Sequence, residues 1–274
     1  MEIALLWFWR FILFSFAGWL METILFTIEA RHWVNRGFLA GPICPIYGSG
    51  AVLILLVLTP LQNAPALLAL AGIVLATTLE YLTGWLMETI FHTRWWDYSR
   101  RRFNLHGRIC LLNSLAWGVL SIVLVYGLNP LADRLIGSVS ITWQMILAAV
   151  AIILFFIDLT TTVIGAINLN RQLAKLQDIA SLIRRKNSEF GENMQQRLAF
   201  LTKNLRDWSK LSEKINPIQR RLLEAFPDLH SLRYPEALQR LRRWLKRPKK
   251  KQIWPSADIT LLRNQLPTLR RKGK

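Results

Sequence analysis

No lysine occurs among the first 167 residues of this 274-residue chain, and charge of either sign is sparse there. Those residues hold nine arginines against eight Asp and Glu, net +1, whereas residues 168–274 hold twenty-six Lys and Arg against nine acids, net +17. The formal charge of +18 and the isoelectric point near 10.8 therefore describe the second part. Such a contrast separates a half suited to hydrocarbon from one suited to water. Cysteine is nearly absent. Cys44 and Cys110 lack a CxxC partner and neighbours at zinc-ligand spacing, so neither a disulfide framework nor a metal site is expected. No GxxxxGK[ST] phosphate loop occurs, which excludes a nucleotide-driven motor within this chain. Ser-His-Asp, Cys-His and metal constellations are missing as well, so no enzymatic activity and no cofactor are expected. The basic tail carries no recognisable nucleic-acid-binding module, and nucleic acid is not an expected partner.

What the first part does contain is apolar helix. Lipid offers no partner for backbone polar groups, so a crossing takes about 20 apolar residues of self-satisfied helix. Five stretches qualify: 4–28, 43–61, 65–91, 109–128 and 141–167. The second is the weakest, because Gly48 and Gly50 loosen its start and Pro60 ends it. The opening MEIALLWFWRFILF has an acidic start and no small-residue cleavage site, and it reads as a first span rather than a signal peptide. Arg31 and Arg36 lie in the first connection, and Arg94, Arg100, Arg101, Arg102 and Arg108 lie in or border the third. The second connection has no cation and the fourth has Arg134 alone. Positive residues stay inside, which places the first and third connections and the tail in the cytoplasm and the N-terminus outside. That arrangement requires an odd number of crossings.

Residues 18–44 align with residues 84–110 at a constant offset of 66, with 13 of 27 positions identical. The run from Gly18 to Ile24, GWLMETI, recurs unchanged from Gly84 to Ile90, and the pairs Arg36/Arg102, Gly41/Gly107 and Cys44/Cys110 follow. Each copy is the end of one span, a loop and the start of the next. Two spans separate equivalent positions, so the copies run the same way through the membrane, as parallel repeats. The expected fold is all-α: a polytopic bundle of about five helices with repeats at about 4–61 and 65–128, a fifth span at 141–167, and a basic, mainly helical tail over 168–274.

Ionisable groups within apolar helix are costly, which singles out Glu22, Glu80, Glu88 and Asp158. Helical spacing puts Gly18 with Glu22 on one face, Glu80 with Gly84 and Glu88 on another, and Asp158, Thr161, Thr162 and Gly165 on a third. These polar stripes suit a substrate or ion pathway. Glu22 and Glu88 also suit a structural clamp, pairing with Arg36 and Arg102 respectively. In the loops, Asn35 and Arg36 stand in a Gly- and Pro-rich segment that exposes backbone donors. Trp95, Trp96, Asp97, Tyr98, Asn104 and Arg108 mark the second copy. Its aromatics and arginines fit an interfacial belt on anionic lipid headgroups, a coupling surface or a headgroup site. Cys44 and Cys110 read as small packing residues. In the tail, Leu173, Leu176, Ile179 and Ile183 share one helical side, and Leu198 to Leu211 form a second stretch. The Lys246–Lys251 run is expected to lie against anionic headgroups.

The strings FAGWLMETI, NRGFLAGPICPIYG, WWDYS and FNLHGRICLLNS, in this order, resemble the CmpB family of ABC-transporter-type permeases. The resemblance spans about residues 8–250. It implies a multi-pass protein of the bacterial cytoplasmic membrane that works with a separate ATPase. Five spans per chain would further imply a homo-oligomer to complete a pathway.

Overall fold

Proline placement and apolar runs together set the element boundaries. The computed structural model describes residues 2–187 and 194–245. Helix α1 (Glu2–Ala30) is followed by α2 (Pro45–Leu58), which closes with a 3-10 turn at Thr59–Leu61. Pro45 and Pro65 open α2 and α3 (Pro65–Phe91), where a missing N–H costs no helical hydrogen bond. Helix α3 ends on His92 in the left-handed conformation. After three two-residue strands, β1 (Thr93–Arg94), β2 (Asn104–Leu105) and β3 (Ile109–Cys110), comes α4 (Leu111–Val123). It runs through a π-helical turn (Leu124–Leu128) into α5 (Asn129–Gly137). The remaining elements are α6 (Ile141–Asn187), α7 (Met194–Glu213), α8 (Pro217–Ala225), β4 (His230–Ser231) and α9 (Pro235–Leu245).

The fold is that of an all-α, polytopic helical membrane protein. Four helical segments are long and apolar enough to cross a bilayer: Glu2–Ala30, Pro65–Phe91, Leu111–Gly137 and Ile141–Arg185. The third runs beyond the end at 128 expected from sequence. Pro130 stands at the start of α5, where its missing N–H is tolerated, so the helix continues. The second apolar stretch forms only a shorter helix, Pro45–Leu61, which at 1.5 Å per residue reaches about 25 Å. Its length follows from the preceding loop, which folds back along α1. Val34 N–H donates to Thr27 Oγ1 (3.1 Å), Arg36 N–H to Thr23 Oγ1 (3.3 Å) and Cys44 N–H to the Ser15 carbonyl (2.9 Å). Non-helical backbone thus covers part of the path that α2 leaves, with its donors satisfied by protein, as a water-poor environment demands.

The described chain divides into two compact units. Of the described residues, the first comprises 2–167 together with 217–232, and the second comprises 168–187, 194–216 and 233–245. Residues 217–232, which charge alone assigns to the tail, therefore belong with the apolar helices. The core of the first unit gathers Phe14, Ile54, Leu55, Leu58, Leu68 and Leu124. The helices of each repeat approach through glycine: Gly118 of α4 lies against Ile73 and the Ala69 carbonyl, and Gly48 of α2 lies against Ser15 and the Phe11 carbonyl. By contrast, only 11% of the apolar window of α6 is buried, so its surface needs lipid or another protein around it. In the second unit Leu169, Leu173, Leu176 and Ala180 form a buried stripe on α6. On α9 the buried residues are Ala237, Leu238, Leu241 and Trp244, and Trp244 meets Trp208 of α7 edge-on at 6.5 Å. The Lys246–Lys251 run lies outside the described residues.

Candidate functional site

The two repeat-related loops, residues 31–44 and 92–110, carry most of the polar residues singled out by sequence. In the first loop Asn35 is a brace: its Oδ1 accepts from Trp19 Nε1 at 2.8 Å and its Nδ2 donates to the Ala40 carbonyl at 2.9 Å. Arg36 is only 8% exposed. Its Nε donates to Glu22 Oε2 (3.3 Å), its Nη1 donates to the Ala225 carbonyl, and its guanidinium lies over the rings of Phe26 and Phe226. Glu22 also accepts from the Tyr47 hydroxyl at 2.7 Å. The Glu22–Arg36 pairing considered from the repeat is therefore present as an ion pair.

The second copy builds its clamp differently. Glu88 pairs with Arg94 (2.9 Å) and Arg108 (2.5 Å), not with Arg102. Both partners are local to the fold: Arg94 stands in β1 just after α3, and Arg108 stands in the turn of the hairpin between β2 and β3, whereas Arg102 precedes β2 and is exposed. Trp96 Nε1 donates to the Arg108 carbonyl at 2.9 Å, and Arg108 Nη1 donates to the Tyr81 hydroxyl at 2.9 Å. A narrow crevice at this point is lined by Gly84, Met87, Glu88, Arg94, Trp96 and Arg108. Asn104 Nδ2 donates to the Arg101 carbonyl at 2.8 Å while its Oδ1 accepts from Gly107 N–H at 3.1 Å, which closes the turn. Asp97 accepts from Ser99 N–H and Oγ. Partial burial opposes ionisation of Asp97, but the Ser99 donors, with Arg94 and His230 nearby, outweigh it and hold the carboxyl below its ordinary value.

Glu80, unlike Glu22 and Glu88, takes part in no ion pair among the described residues. It is buried and accepts from Trp117 Nε1 (2.9 Å) and the Tyr98 hydroxyl (3.3 Å), both neutral donors. Burial and the nearby Glu80 and Glu22 carboxylates push the Tyr98 hydroxyl upward, so it remains protonated and able to donate. The Trp117 ring also meets the Tyr47 ring at a tilt, with centroids 5.5 Å apart, so Tyr47 and Trp117 connect the surroundings of Glu22 and Glu80.

Asp158 works on the first loop. Its carboxylate accepts from Ala40 N–H (2.9 Å), Gly41 N–H (2.7 Å) and the Thr162 hydroxyl (3.1 Å). It satisfies donors that lipid cannot, and charge-assisted bonds of this kind are the strong ones. Asp158→Asn keeps the size but removes the charge, at an expected cost of about 1.5–3 kcal/mol. Hydrogen exchange at the Ala40 and Gly41 amides is expected to accelerate about tenfold to a hundredfold. Unchanged exchange there would mean that Asp158 does not anchor the loop.

Helix α8 completes the arrangement. Arg221 Nη1 donates to the Gly37 carbonyl (3.0 Å) and Nη2 to the Phe38 carbonyl (2.5 Å). Burial lowers the Arg221 pKa, with the Asp158 charge opposing that effect. Trp95, 3% exposed, meets Phe38, Phe91 and Phe226 edge-on at centroid distances of 5.0 to 5.7 Å. Strand β4 pairs antiparallel with β1, Thr93 opposite Ser231 and Arg94 opposite His230, and Leu232 N–H donates to the His92 carbonyl at 3.1 Å. One segment of the basic tail thus ties the first loop to the second. Trp95 and Trp96 are packed into protein here rather than projecting as a belt.

Two further residues carry an ion pair that the repeat did not reveal. Arg10 of α1 makes a bidentate contact with Asp133 of α5 at 2.9 and 3.0 Å, and its guanidinium lies 4.5 Å from the Trp7 ring. The signal was available: Arg10 is a lone cation in the first apolar run, and Asp133 is the only acid between Asp97 and Asp158. Among the described residues no group of three or more His, Cys, Asp or Glu side chains could hold a metal ion.

No curated protein and no solved structure matches the chain. A family model described as "Putative ABC-transporter type IV" matches residues 9–163, which take in both repeats and their loops, and the chain belongs to this CmpB family of transporter components.

Proposed function

We propose that the chain is the membrane-spanning permease subunit of an ABC-type transporter, driven by a separate ATPase that docks at the end of the bundle carrying the two repeat loops. The observation that carries this reading is the clasp between those loops. Arg36 and Arg221 tie the first loop to α8, and β4 ties the same segment to the second loop. A force applied at one end of a bundle reaches the helices only through parts that do not yield, and this clasp consists of buried ion pairs, backbone bonds and packed rings. Glu22 and Glu88 then belong to its frame, and Glu80 is the better candidate for a group that meets a transported solute or ion. With no phosphate loop in this chain, the reading assigns nucleotide hydrolysis to a partner.

On this reading the clasped loops face the cytoplasm of a bacterial inner membrane and the N-terminus lies outside, which the arginine-rich loops favour and which counts the shorter apolar helix Pro45–Leu61 as the fifth crossing. The sparsely buried face of α6 suits contact with a second copy in a homo-oligomer. The test is crosslinking and copurification from native membranes, followed by solute flux in vesicles with and without ATP. An associated ATPase and nucleotide-dependent flux are expected. Copurification without any ATPase, together with no flux, would overturn the proposal. Deleting residues 233–274 separates it from a scaffold whose tail recruits partners, because that deletion spares the clasp. A permease keeps its flux, and a scaffold loses its role.

A further inference from the structure

The two repeat loops differ in what covers them. At the shared offset of 66, Val34, Asn35, Arg36 and Leu39 of the first loop correspond to Arg100, Arg101, Arg102 and Leu105 of the second. Val34, Arg36 and Leu39 are buried, and α8 of the same chain lies over that loop with Arg221 on its carbonyls. Their counterparts are exposed. Leu105 is 51% exposed and Phe103 is 80% exposed, the latter held outward by a left-handed backbone (φ 53°). No carboxylate lies within ion-pair distance of Arg100, Arg101 or Arg102 among the described residues. The tip is nevertheless built rather than loose: Asn104 braces it, β2 pairs with β3, and Leu111 N–H donates to the Phe103 carbonyl at 3.2 Å.

Its position identifies the occupant. Leu111 and Leu112 begin the spanning segment Leu111–Gly137 and are themselves exposed, so the apolar surface of that segment continues onto Phe103 and Leu105. The three exposed arginines directly precede Phe103 in the chain. Apolar side chains at the edge of a spanning helix, next to unpaired guanidinium groups, match the chemistry of a bilayer boundary, where acyl chains give way to phosphate. We infer that the 100–105 tip is an anchor for anionic phospholipid headgroups, with Arg100, Arg101 and Arg102 on the phosphates and Phe103 and Leu105 among the adjoining acyl chains. The acidic surface of a partner protein would satisfy the arginines but leave the apolar pair without a reason to lie beside the span.

The experiment uses the full chain carrying Phe103→Cys labelled with an environment-sensitive fluorophore. Cys44 and Cys110 are both buried, so labelling reports the tip. The protein is reconstituted in vesicles of phosphatidylcholine alone and of phosphatidylcholine mixed with phosphatidylglycerol. A blue shift confined to the mixed vesicles and reversed by high salt is expected, since exposed charges are screened by salt. Adding Arg100→Ala, Arg101→Ala and Arg102→Ala together is expected to remove the shift, with the unfolding temperature unchanged. Lysine at the same three positions is expected to restore most of it. Equal emission in the two vesicle types, or a shift that survives the triple alanine change, would overturn the inference. So would photocrosslinks from position 103 that capture an acidic protein and no lipid.

Discussion

Glu88→Ala is expected to be among the most damaging single substitutions in the chain, because it strands two guanidinium groups at once. Glu88 is buried and neutralises both Arg94 and Arg108, whose side chains are 26% and 16% exposed. Removing one partner of a buried pair costs about 3–5 kcal/mol, since the remaining charge has lost water without gaining a counterion. Damage would spread through the second loop. Arg108 also holds Tyr81, and its carbonyl receives Trp96, while Arg94 stands in the strand that pairs with β4. Glu88→Gln retains an acceptor and is expected to cost less, which gives the measurement its contrast. Thermal unfolding in detergent is expected to fall in the order wild type, Glu88→Gln, Glu88→Ala. If Glu88→Gln keeps its unfolding temperature yet abolishes transport, the residue acts on the transported species rather than as a clamp. Arg102→Ala is the internal control: its side chain makes no ion pair with Glu88, so its effect on stability is expected to stay within about 0.5 kcal/mol.

Gly48→Leu is expected to prevent the first helical pair from closing. Even a β-carbon at this position would run into the Ser15 hydroxyl and the backbone carbonyl of Phe11, and that carbonyl cannot move without separating α1 from α2. Overpacking a well-filled contact costs about 1–3 kcal/mol, and more where the obstructing atom is main chain. Separating the pair also disturbs the Cys44 N–H bond to the Ser15 carbonyl and the contact of Tyr47 with Gly18. Folded protein recovered by size-exclusion chromatography in detergent is expected to be lost or sharply reduced. Gly137→Ala meets nothing within 4 Å and is expected to behave as wild type. Equal yields from Gly48→Leu and Gly137→Ala would show that the close approach is dispensable.

The candidate site was partly legible because repeats preserve chemistry in order. Glu22 and Arg36 recur as Glu88 and Arg102, and the first pair does meet. The second does not, because the two loops fold differently. The first lies against α1 and receives α8, whereas the second leaves Arg102 exposed ahead of a hairpin whose turn carries Arg108. Sequence identity at an offset reports common descent of the two copies, but a loop's path depends on what covers it. Asp158 illustrates the same limit. Its stripe with Thr161 and Thr162 was visible from spacing alone. That its carboxylate would cap Ala40 and Gly41, more than a hundred residues away, was not.

The sequence by itself determined the membrane-spanning, all-helical character of the chain, the duplication, and the separation of an apolar part from a basic one. Each follows from local rules: apolar run length against bilayer thickness, positional identity, and charge per segment. Only the tertiary structure decided that α2 is short, that Glu88 takes Arg94 and Arg108, and that residues 217–232 leave the basic tail to join the two loops. These outcomes depend on which buried backbone and charged groups find partners across long chain separations. Lysine disappears from the first 167 residues for a reason that composition can express, whereas the destination of Arg221 on two carbonyls of another loop is settled by packing.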